Sequence, residues 1–193
     1  MLKVGGLAPF TTIDYPGQLS AVVFCQGCPW RCGYCHNRHL QPRSSSNEIP
    51  WSEVVEFLKV RVGVLDAVVF SGGEPTMQGA IVGAIKTVSG LGFKTALHTS
   101  GSNPLLLAKC LPHLSWVGMD IKAPFEDYPE ITGIADSGAR ASESSLILRG
   151  SPVEKQFRTT VDPFLEKEGR IQRLQELVGG WGYDLVLQVM REV

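Results

Sequence analysis

Four of the five cysteines in this chain fall within eleven residues, in the stretch CQGCPWRCGYCHN that begins at Cys25. A clustered, odd set of cysteines favours metal or redox chemistry in a reducing compartment over a disulfide framework. The spacing C-x2-C-x3-C-x2-C is too short for a zinc ribbon, whose two cysteine pairs stand roughly 12 to 20 residues apart. A thioredoxin-like pair would use two of the four thiols and leave two unexplained.

Cys28, Cys32 and Cys35 form a compact three-thiolate loop that suits a cubane iron–sulfur cluster, because its irons are soft and lie close together. Three protein ligands leave one iron open, and an open coordination position is typical of catalytic metal sites. The remaining cysteine, Cys110, lies far along the chain and is predicted to be a buried structural thiol.

Polar and glycine-rich residues also follow the predicted strands farther along the chain. The run Ser-Gly-Gly-Glu-Pro occupies residues 71–75, Thr-Ser-Gly occupies 99–101, and Lys-Ala-Pro occupies 122–124. The carboxyl ends of parallel strands meet at one face of a (βα) barrel, where such barrels place their chemistry. These residues therefore indicate a site on that face.

The elements that must position these residues alternate between strand and helix. Apolar runs and helical periodicity predict strands at 19–24, 66–70, 94–98, 116–121, 156–161 and 184–189, and helices at 51–61, 80–89, 104–110, 143–149 and 166–178. This alternation predicts parallel βαβ units. We favour a partial, open (βα)6 TIM-like barrel with the cysteine loop after the first strand over a doubly wound sheet. The segment 123–141 is predicted to be an irregular, mobile loop.

Composition narrows the class of protein. The 193 residues suit one domain, 1–193, and a net charge of -1 argues against a nucleic-acid footprint or an electrostatic membrane patch. The apolar runs are too short to span a bilayer, and the N-terminus shows no secretory pattern. We therefore expect a cytoplasmic protein with neither nucleic-acid nor membrane partners.

The pattern Cys28-x3-Cys32-x2-Cys35 after the first strand resembles the signature of the radical S-adenosylmethionine (SAM) enzymes, and the aromatic Tyr34 before the third cysteine matches too. The resemblance implies that the three cysteines hold a 4Fe-4S cluster whose open iron binds the amine and carboxylate of SAM. Reductive cleavage of SAM would then yield a 5'-deoxyadenosyl radical. Cys25 is predicted to be a semi-buried strand thiol, since a fourth ligand would close the position that SAM needs.

Further motifs resemble the activating enzymes of glycyl radical enzymes, most closely those of anaerobic ribonucleoside-triphosphate reductases. They are Thr-Thr-Ile-Asp-Tyr-Pro-Gly at 11–17, Ser-Gly-Gly-Glu-Pro at 71–75, His-Thr-Ser-Gly at 98–101, Gly-Met-Asp-Ile-Lys-Ala-Pro at 118–124 and Phe-Arg-Thr-Thr-Val at 157–161. The resemblance implies a glycyl radical enzyme as partner and a low-potential electron donor such as flavodoxin or ferredoxin. Two alternatives stay open: a small radical SAM enzyme acting on a small molecule, as in a 7-carboxy-7-deazaguanine synthase-like reaction, and a non-catalytic zinc-binding module.

The resemblance also implies the residues that contact SAM. The carbonyls of Gly72 and Gly73, with Glu74, would meet the methionyl ammonium, and Lys122 would meet the carboxylate. The full predicted cofactor-binding set is Tyr34, Gly72, Gly73, Glu74, Thr99, Asp120, Lys122 and Arg158. His98 replaces an acid found in the pyruvate formate-lyase activating enzyme, which puts the monovalent-cation site of that relative in doubt here. His36, Asn37 and Gln188 are weaker candidates for lining the pocket.

Overall fold

A single seven-stranded sheet frames the molecule in the computed structural model, which describes residues 1–167 and 169–190. The strands lie in chain order across the sheet: β1 Val4–Thr11, β2 Ser20–Cys25, β3 Ala67–Gly72, β4 Lys94–Thr99, β5 Trp116–Asp120, β6 Glu154–Val161 and β7 Leu185–Val189. Strands β2 to β7 are parallel to their neighbours, whereas β1 is antiparallel to β2. The six parallel strands confirm the predicted partial, open barrel.

Helices connect the parallel strands and cover their outer face. They are α1 Trp51–Lys59, α2 Ile81–Gly90, α3 Pro104–Cys110, α4 Tyr128–Thr132, α5 Ser137–Arg149 and α6 Arg170–Gly179. Central strands such as β3 are almost continuously apolar and buried, as expected for parallel strands covered on both faces. The parallel register brings the carboxyl ends of the strands to one edge, with Cys25 opposite Gly72 and Asp120 opposite Arg158.

The strand β1 was not expected from the sequence. Its Val-Gly-Gly-Leu-Ala-Pro-Phe-Thr run contains two glycines and a proline, which weaken a strand pattern. The structure tolerates Pro9 because β1 is an edge strand and its register with β2 shifts between Ala8 and Thr11, where the proline falls. The cysteine loop therefore follows the second strand of the chain, which is the first strand of the parallel set.

The prediction of an irregular loop over 123–141 was wrong. This segment contains a 3-10 turn at Phe125–Asp127, then α4, then the first part of α5, which begins six residues before the predicted helix. The sequence predicted the second half of α5 but not the first half, Ser-Gly-Ala-Arg-Ala-Ser, because that half lacks apolar periodicity. Its small residues permit close packing, since a side chain at Gly138 would collide with the carbonyl of Phe125.

The last predicted helix, at 166–178, begins later than expected, at Arg170. Among the described residues, none of the helices is both long and apolar enough to cross a membrane.

Candidate active site

The loop after β2 carries the three predicted ligand thiols and folds back on itself. The amide of Gly27 donates to the carbonyl of Leu40 at 2.7 Å, and the amide of Cys28 donates to that of Gln41 at 3.1 Å. Every cysteine in the chain is a free thiol. The thiols Cys28, Cys32 and Cys35 therefore emerge from one lobe whose two ends are joined by backbone hydrogen bonds.

The helix α4 and the loop itself hold this lobe in place. Trp30 is buried and meets the ring of Tyr128 edge-on, with ring centres 5.6 Å apart. The amide of Arg31 donates to the carbonyl of Thr132 at 2.8 Å, while its guanidinium donates to the carbonyls of Cys28 at 2.6 Å and Trp30 at 2.9 Å. A segment predicted to be mobile thus supports the cysteine loop.

The environment of Cys28 and Cys32 favours the protonated form of these two thiols. Burial, together with the carboxylate of Glu74, raises the pKa of Cys28 to about 12, and burial also raises the pKa of Cys32. Metals bind thiolates, so binding of iron must displace these protons.

The three thiols border a cavity of about 830 Å³ at the carboxyl ends of the parallel strands. Its size is within the range of small-molecule sites, about 300 to 1,000 Å³. All but one of the predicted site residues line it: Cys28, Cys32, Tyr34, Cys35, Gly72, Gly73, Thr99, Asp120, Lys122 and Arg158. The weaker candidates His36, Asn37, His98 and Gln188 line it as well. The structure therefore brings together predicted residues that are up to 160 positions apart in the chain, from Cys28 to Gln188.

Glu74 is the exception, because its side chain is buried beneath the cavity. Its carboxylate accepts five hydrogen bonds, from the amide and hydroxyl of Thr76, the hydroxyl of Thr99, and the amide and hydroxyl of Ser100. These bonds, 2.6 to 3.0 Å long, join the turn after β3 to the end of β4. The side chain positions both strand ends, so the predicted contact with a methionyl ammonium would come from backbone carbonyls at this turn.

The glycines before Glu74 allow two backbone segments to touch. Gly72 has a φ of 103°, and a Cβ there would lie 2.6 Å from the amide nitrogen of Cys25. A Cβ on Gly73 would collide with the carbonyl oxygen of Gly27 in the cysteine loop. Besides the predicted approach to a ligand, these glycines therefore permit contact between β3 and the lobe that carries the thiols.

A compact charged group forms the opposite wall. Arg158 donates from Nε at 3.0 Å and from Nη2 at 2.8 Å to Oδ1 of Asp120, and Nζ of Lys122 lies 3.8 Å from Oδ2. Burial alone would raise the pKa of Asp120, but Arg158 and Lys122 lower it. Two cations thus surround one anion, and the excess positive charge suits a ligand carboxylate.

Tyr34 links this charged group to the cysteine loop. Its hydroxyl lies 3.3 Å from Nζ of Lys122, which also lies 5.5 Å from the centre of the tyrosine ring. Burial opposes the charge of Lys122, but Tyr34, Cys32 and Asp120 outweigh it and raise the pKa of the ammonium well above its usual range. Lys122 therefore stays charged beside the thiols.

His98 is half-buried at the edge of the cavity and neutral. Its Nε2 lies 2.7 Å from the carbonyl oxygen of Asp14, so this nitrogen carries the proton, and Nδ1 lies 3.3 Å from the hydroxyl of Ser71, which can donate to it. Nη1 of Arg158 lies 3.2 Å from Nε2. Burial and the charge of Arg158 lower the pKa of His98 to about 4. The ring holds the segment before β2 against β4.

That segment contributes residues to which the sequence had assigned no role. Ile13 and Asp14 line the cavity, and Tyr15 behind them stacks on Trp116 with ring centres 5.4 Å apart. The motif at residues 11–17 was the sequence feature that could have indicated this role. A motif and its spacing, however, do not show which strand ends the loop will face. Ser71, Ser100 and Thr160 were also missed as lining residues.

The other two cysteines lie in the core. Cys25 has no exposed surface, so it is fully buried and not semi-buried as predicted, and it does not line the cavity. Burial raises the pKa of its thiol beyond that of Cys28. Cys110 is fully buried at the end of α3, as predicted.

The three thiols beside the cavity are donors of the type that bind an iron–sulfur cluster. Within residues 1–167 and 169–190, no three His, Cys, Asp or Glu side chains are close enough together to hold one metal ion. Three free thiols beside one cavity are a donor set of the soft type that iron–sulfur clusters require.

Comparison with known proteins agrees with this geometry. The family model described as "Radical SAM superfamily" matches residues 22–168. The putative glycyl-radical enzyme activating enzyme of Methanocaldococcus jannaschii is 29% identical over 185 residues, which cover 91% of this chain and 75% of that protein. The pyruvate formate-lyase-activating enzyme of Clostridium pasteurianum is 31% identical over 144 residues, which cover 72% of this chain and 60% of that enzyme.

The fold is shared with solved structures of low sequence identity. Streptococcus suis SuiB bound to S-adenosylmethionine superposes with a TM-score of 0.67 at 18% identity, covering 87% of this chain and 39% of that chain. At this level of identity the match concerns the fold.

Proposed function

Since the chain belongs to the radical SAM superfamily, we propose that it activates a glycyl radical enzyme by taking a hydrogen atom from the Cα of one glycine in that partner. A 4Fe-4S cluster and SAM are the cofactors of the superfamily and therefore of this chain. The observation that carries the proposal is the similarity to a putative activating enzyme along 91% of the chain. The partner that we infer from the motifs is an anaerobic ribonucleoside-triphosphate reductase.

When bound, the two cofactors supply reductive cleavage of SAM to methionine and a 5'-deoxyadenosyl radical, which abstracts the hydrogen atom. The thiolates of Cys28, Cys32 and Cys35 would hold the cluster, and Lys122 with Arg158 would bind the carboxylate of SAM. Both cations are preorganised, since Asp120 and Tyr34 already fix their positions. The backbone at Gly72 and Gly73 would face the methionyl ammonium.

The remaining residues shape the cavity without taking part in proton transfer. His98 is neutral and engaged through both ring nitrogens, so it serves as a fixed wall and not as an acid. At the rim, Ile13 and Val189 are 73% and 88% exposed. Exposed apolar residues at the entrance suit a peptide segment of a partner enzyme, which would cover them on binding.

The test is anaerobic activation of a candidate partner. The chain is reconstituted with iron and sulfide, then incubated with SAM, dithionite and an anaerobic ribonucleoside-triphosphate reductase. We expect 5'-deoxyadenosine and a glycyl doublet in the electron paramagnetic resonance spectrum of the reductase. A partner whose radical glycine is replaced by alanine is the matched control and should show no doublet.

Two results would contradict the proposal in different ways. Formation of 5'-deoxyadenosine without a glycyl doublet in any glycyl radical enzyme tested would indicate a small-molecule substrate, as in a 7-carboxy-7-deazaguanine synthase-like reaction. One equivalent of zinc and no iron after anaerobic purification would indicate a non-catalytic zinc module.

A further inference from the structure

The cysteine loop carries an unusual distribution of charge. Residues 15–47 contain no aspartate or glutamate, although the chain has 19 acidic residues in all. The same segment contains three arginines and two of the four histidines: Arg31, His36, Arg38, His39 and Arg43. A chain with a net charge of -1 thus concentrates a formal charge of +3 in the segment that surrounds the thiols.

All five of these side chains are exposed, and we call them the basic lobe. They belong to one surface because the loop folds back on itself, with Gln26 donating to the carbonyls of His39 at 3.2 Å and Pro42 at 2.7 Å. Nζ of Lys3 donates to the carbonyl of Arg43 at 3.2 Å and adds a further positive charge beside it. The five exposed side chains therefore belong to the same folded loop that carries the thiols.

A second cavity, of about 610 Å³, lies beside the cysteine loop, and Arg38 is the member of the basic lobe that lines it. The loop contributes Gly33, Tyr34, Cys35 and Arg38 to its wall. Tyr34 and Cys35 line the larger cavity too, so one predicted cluster ligand borders both. The facing wall is largely apolar, with two acids: Glu130, Ile131, Asp162, Pro163, Phe164 and Met190. The predicted cluster can thus be approached from a side that the SAM cavity does not use.

We propose that the basic lobe docks a small acidic one-electron carrier protein, which reduces the cluster through the face formed by Tyr34 and Cys35. The reduced carrier loses one electron and the cluster gains it, with no transfer of a proton or group. This inference rests on the proposed function in that it requires a cluster at Cys28, Cys32 and Cys35. It assigns the electron donor the outer surface of the cysteine loop, which shares Tyr34, Cys35 and His36 with the larger cavity.

Two arguments favour this occupant over the glycyl radical partner. Complementary charge steers association and raises on-rates by about 10- to 1,000-fold, which suits a carrier that must bind, transfer one electron and leave. Redox encounters also use small, weak interfaces. The mouth of the larger cavity has a different character, because exposed apolar residues such as Ile13 stand at its rim.

The test compares two reductants on a double variant that adds a negative charge at His39 and reverses the charge of Arg43. His39→Glu and Arg43→Glu are combined, because neither side chain braces the loop backbone in the way that Arg31 and Arg38 do. The control is Lys86→Glu, an exposed lysine on α2. Cluster-loaded proteins are assayed for 5'-deoxyadenosine with reduced flavodoxin, an acidic flavoprotein, and with dithionite, which needs no docking surface. Binding of oxidised flavodoxin is measured by calorimetry.

We expect the double variant to lose about tenfold in kcat/KM for flavodoxin, with weaker binding, while its dithionite-supported rate stays at the wild-type level. Added salt should slow the flavodoxin reaction of the wild type and of Lys86→Glu, and have less effect on the double variant. An unchanged flavodoxin rate would overturn the inference. Equal losses of rate with flavodoxin and with dithionite, at equal iron content, would also overturn the inference, because the charges would then act within the SAM site. If the double variant fails to produce a glycyl doublet in the partner enzyme even with dithionite as reductant, the basic lobe would instead bind the glycyl radical partner.

Discussion

Cys25 differs from the three thiols that follow it in its surroundings. It ends β2 with no exposed surface and packs in the main core, whereas Cys28 and Cys35 are half-buried at the edge of the cavity. A thiol enclosed by apolar neighbours behaves as a small hydrophobic side chain. The difference between ligand and core thiol thus depends on position relative to the cavity and not on residue type.

Replacement of these cysteines should separate the two roles. We expect Cys25→Ala to lower the free energy of unfolding by roughly 1 kcal/mol through lost packing, with unchanged iron content after reconstitution. Cys28→Ala should bind little cluster, because an essential thiolate is lost. Iron analysis and visible absorbance, with urea unfolding of both proteins, provide the measurement. A Cys25→Ala protein that cannot hold iron would contradict the assignment.

His98 makes stability sensitive to mild acid. Its pKa in the folded protein is about 4, below the ordinary value of 6.5, so the unfolded chain binds a proton first as the pH falls. The stabilisation is therefore fully present above about pH 6.5 and is lost progressively down to about pH 4. His98→Gln keeps a donor for Asp14 and cannot titrate, so we expect a smaller loss of stability in this window.

Urea unfolding at several pH values across that window measures the effect. His113→Gln is a suitable control, because this half-buried histidine lies outside the cavity. Identical pH profiles for wild type and His98→Gln would show that His98 does not cause the acid sensitivity.

At the scale of elements, the ends of β2, β3 and β4 are joined by contacts that depend on small residues and one buried carboxylate. Gly73 donates its amide to the carbonyl of Cys25 at 2.9 Å, and Glu74 donates its amide to that of Gly27 at 2.8 Å. The Glu74 side chain then continues the connection to β4. The turn after β3, which forms part of the cavity wall, and the cysteine loop are therefore joined by hydrogen bonds into one unit.

A methyl group at Gly73 should disturb this unit. In Gly73→Ala the new Cβ would collide with the carbonyl of Gly27, so the cysteine loop must shift. We expect about 1 to 3 kcal/mol of destabilisation and a lower affinity for SAM. Gly79→Ala is the matched control, because nothing lies within 4 Å of a Cβ at that position. Urea unfolding and calorimetric titration of SAM provide the measurements, and equal behaviour of the two variants would refute the argument.

At the scale of the whole molecule, the antiparallel strand β1 connects the N-terminus to the site. The side chain of Gln78, after the turn that follows β3, accepts from the amide of Lys3 at 2.8 Å and donates to the carbonyls of Lys3 and Gln26, both at 2.9 Å. One amide group thus links β1, the start of the cysteine loop and the turn before α2.

Removal of that amide should affect both stability and the cluster. We expect Gln78→Ala to cost about 1 to 2 kcal/mol, since three hydrogen bonds are lost at partly exposed groups, and to release iron faster on exposure to a chelator. Gln172→Ala on α6 is the control, as this residue is exposed. Iron release as fast in the control as in Gln78→Ala would argue against a link through β1.

The sequence by itself determined the chemistry and the order of the parallel strands. The spacing of Cys28, Cys32 and Cys35 limited the metal group, and the apolar periodicity of β2 to β7 predicted an open barrel whose strand ends carry the site. Such patterns are local, because ligand spacing and burial on both faces constrain consecutive residues.

The tertiary structure alone decided which residues meet. It placed Glu74 beneath the cavity instead of in it, buried Cys25 completely, and brought Asp14 against His98 across 84 positions of sequence. It also showed that the glycine-rich β1 is a strand, since pairing with β2 supplies hydrogen bonds that overcome a weak local preference. Contacts between distant residues depend on strand register and loop closure, which no window of neighbouring residues contains.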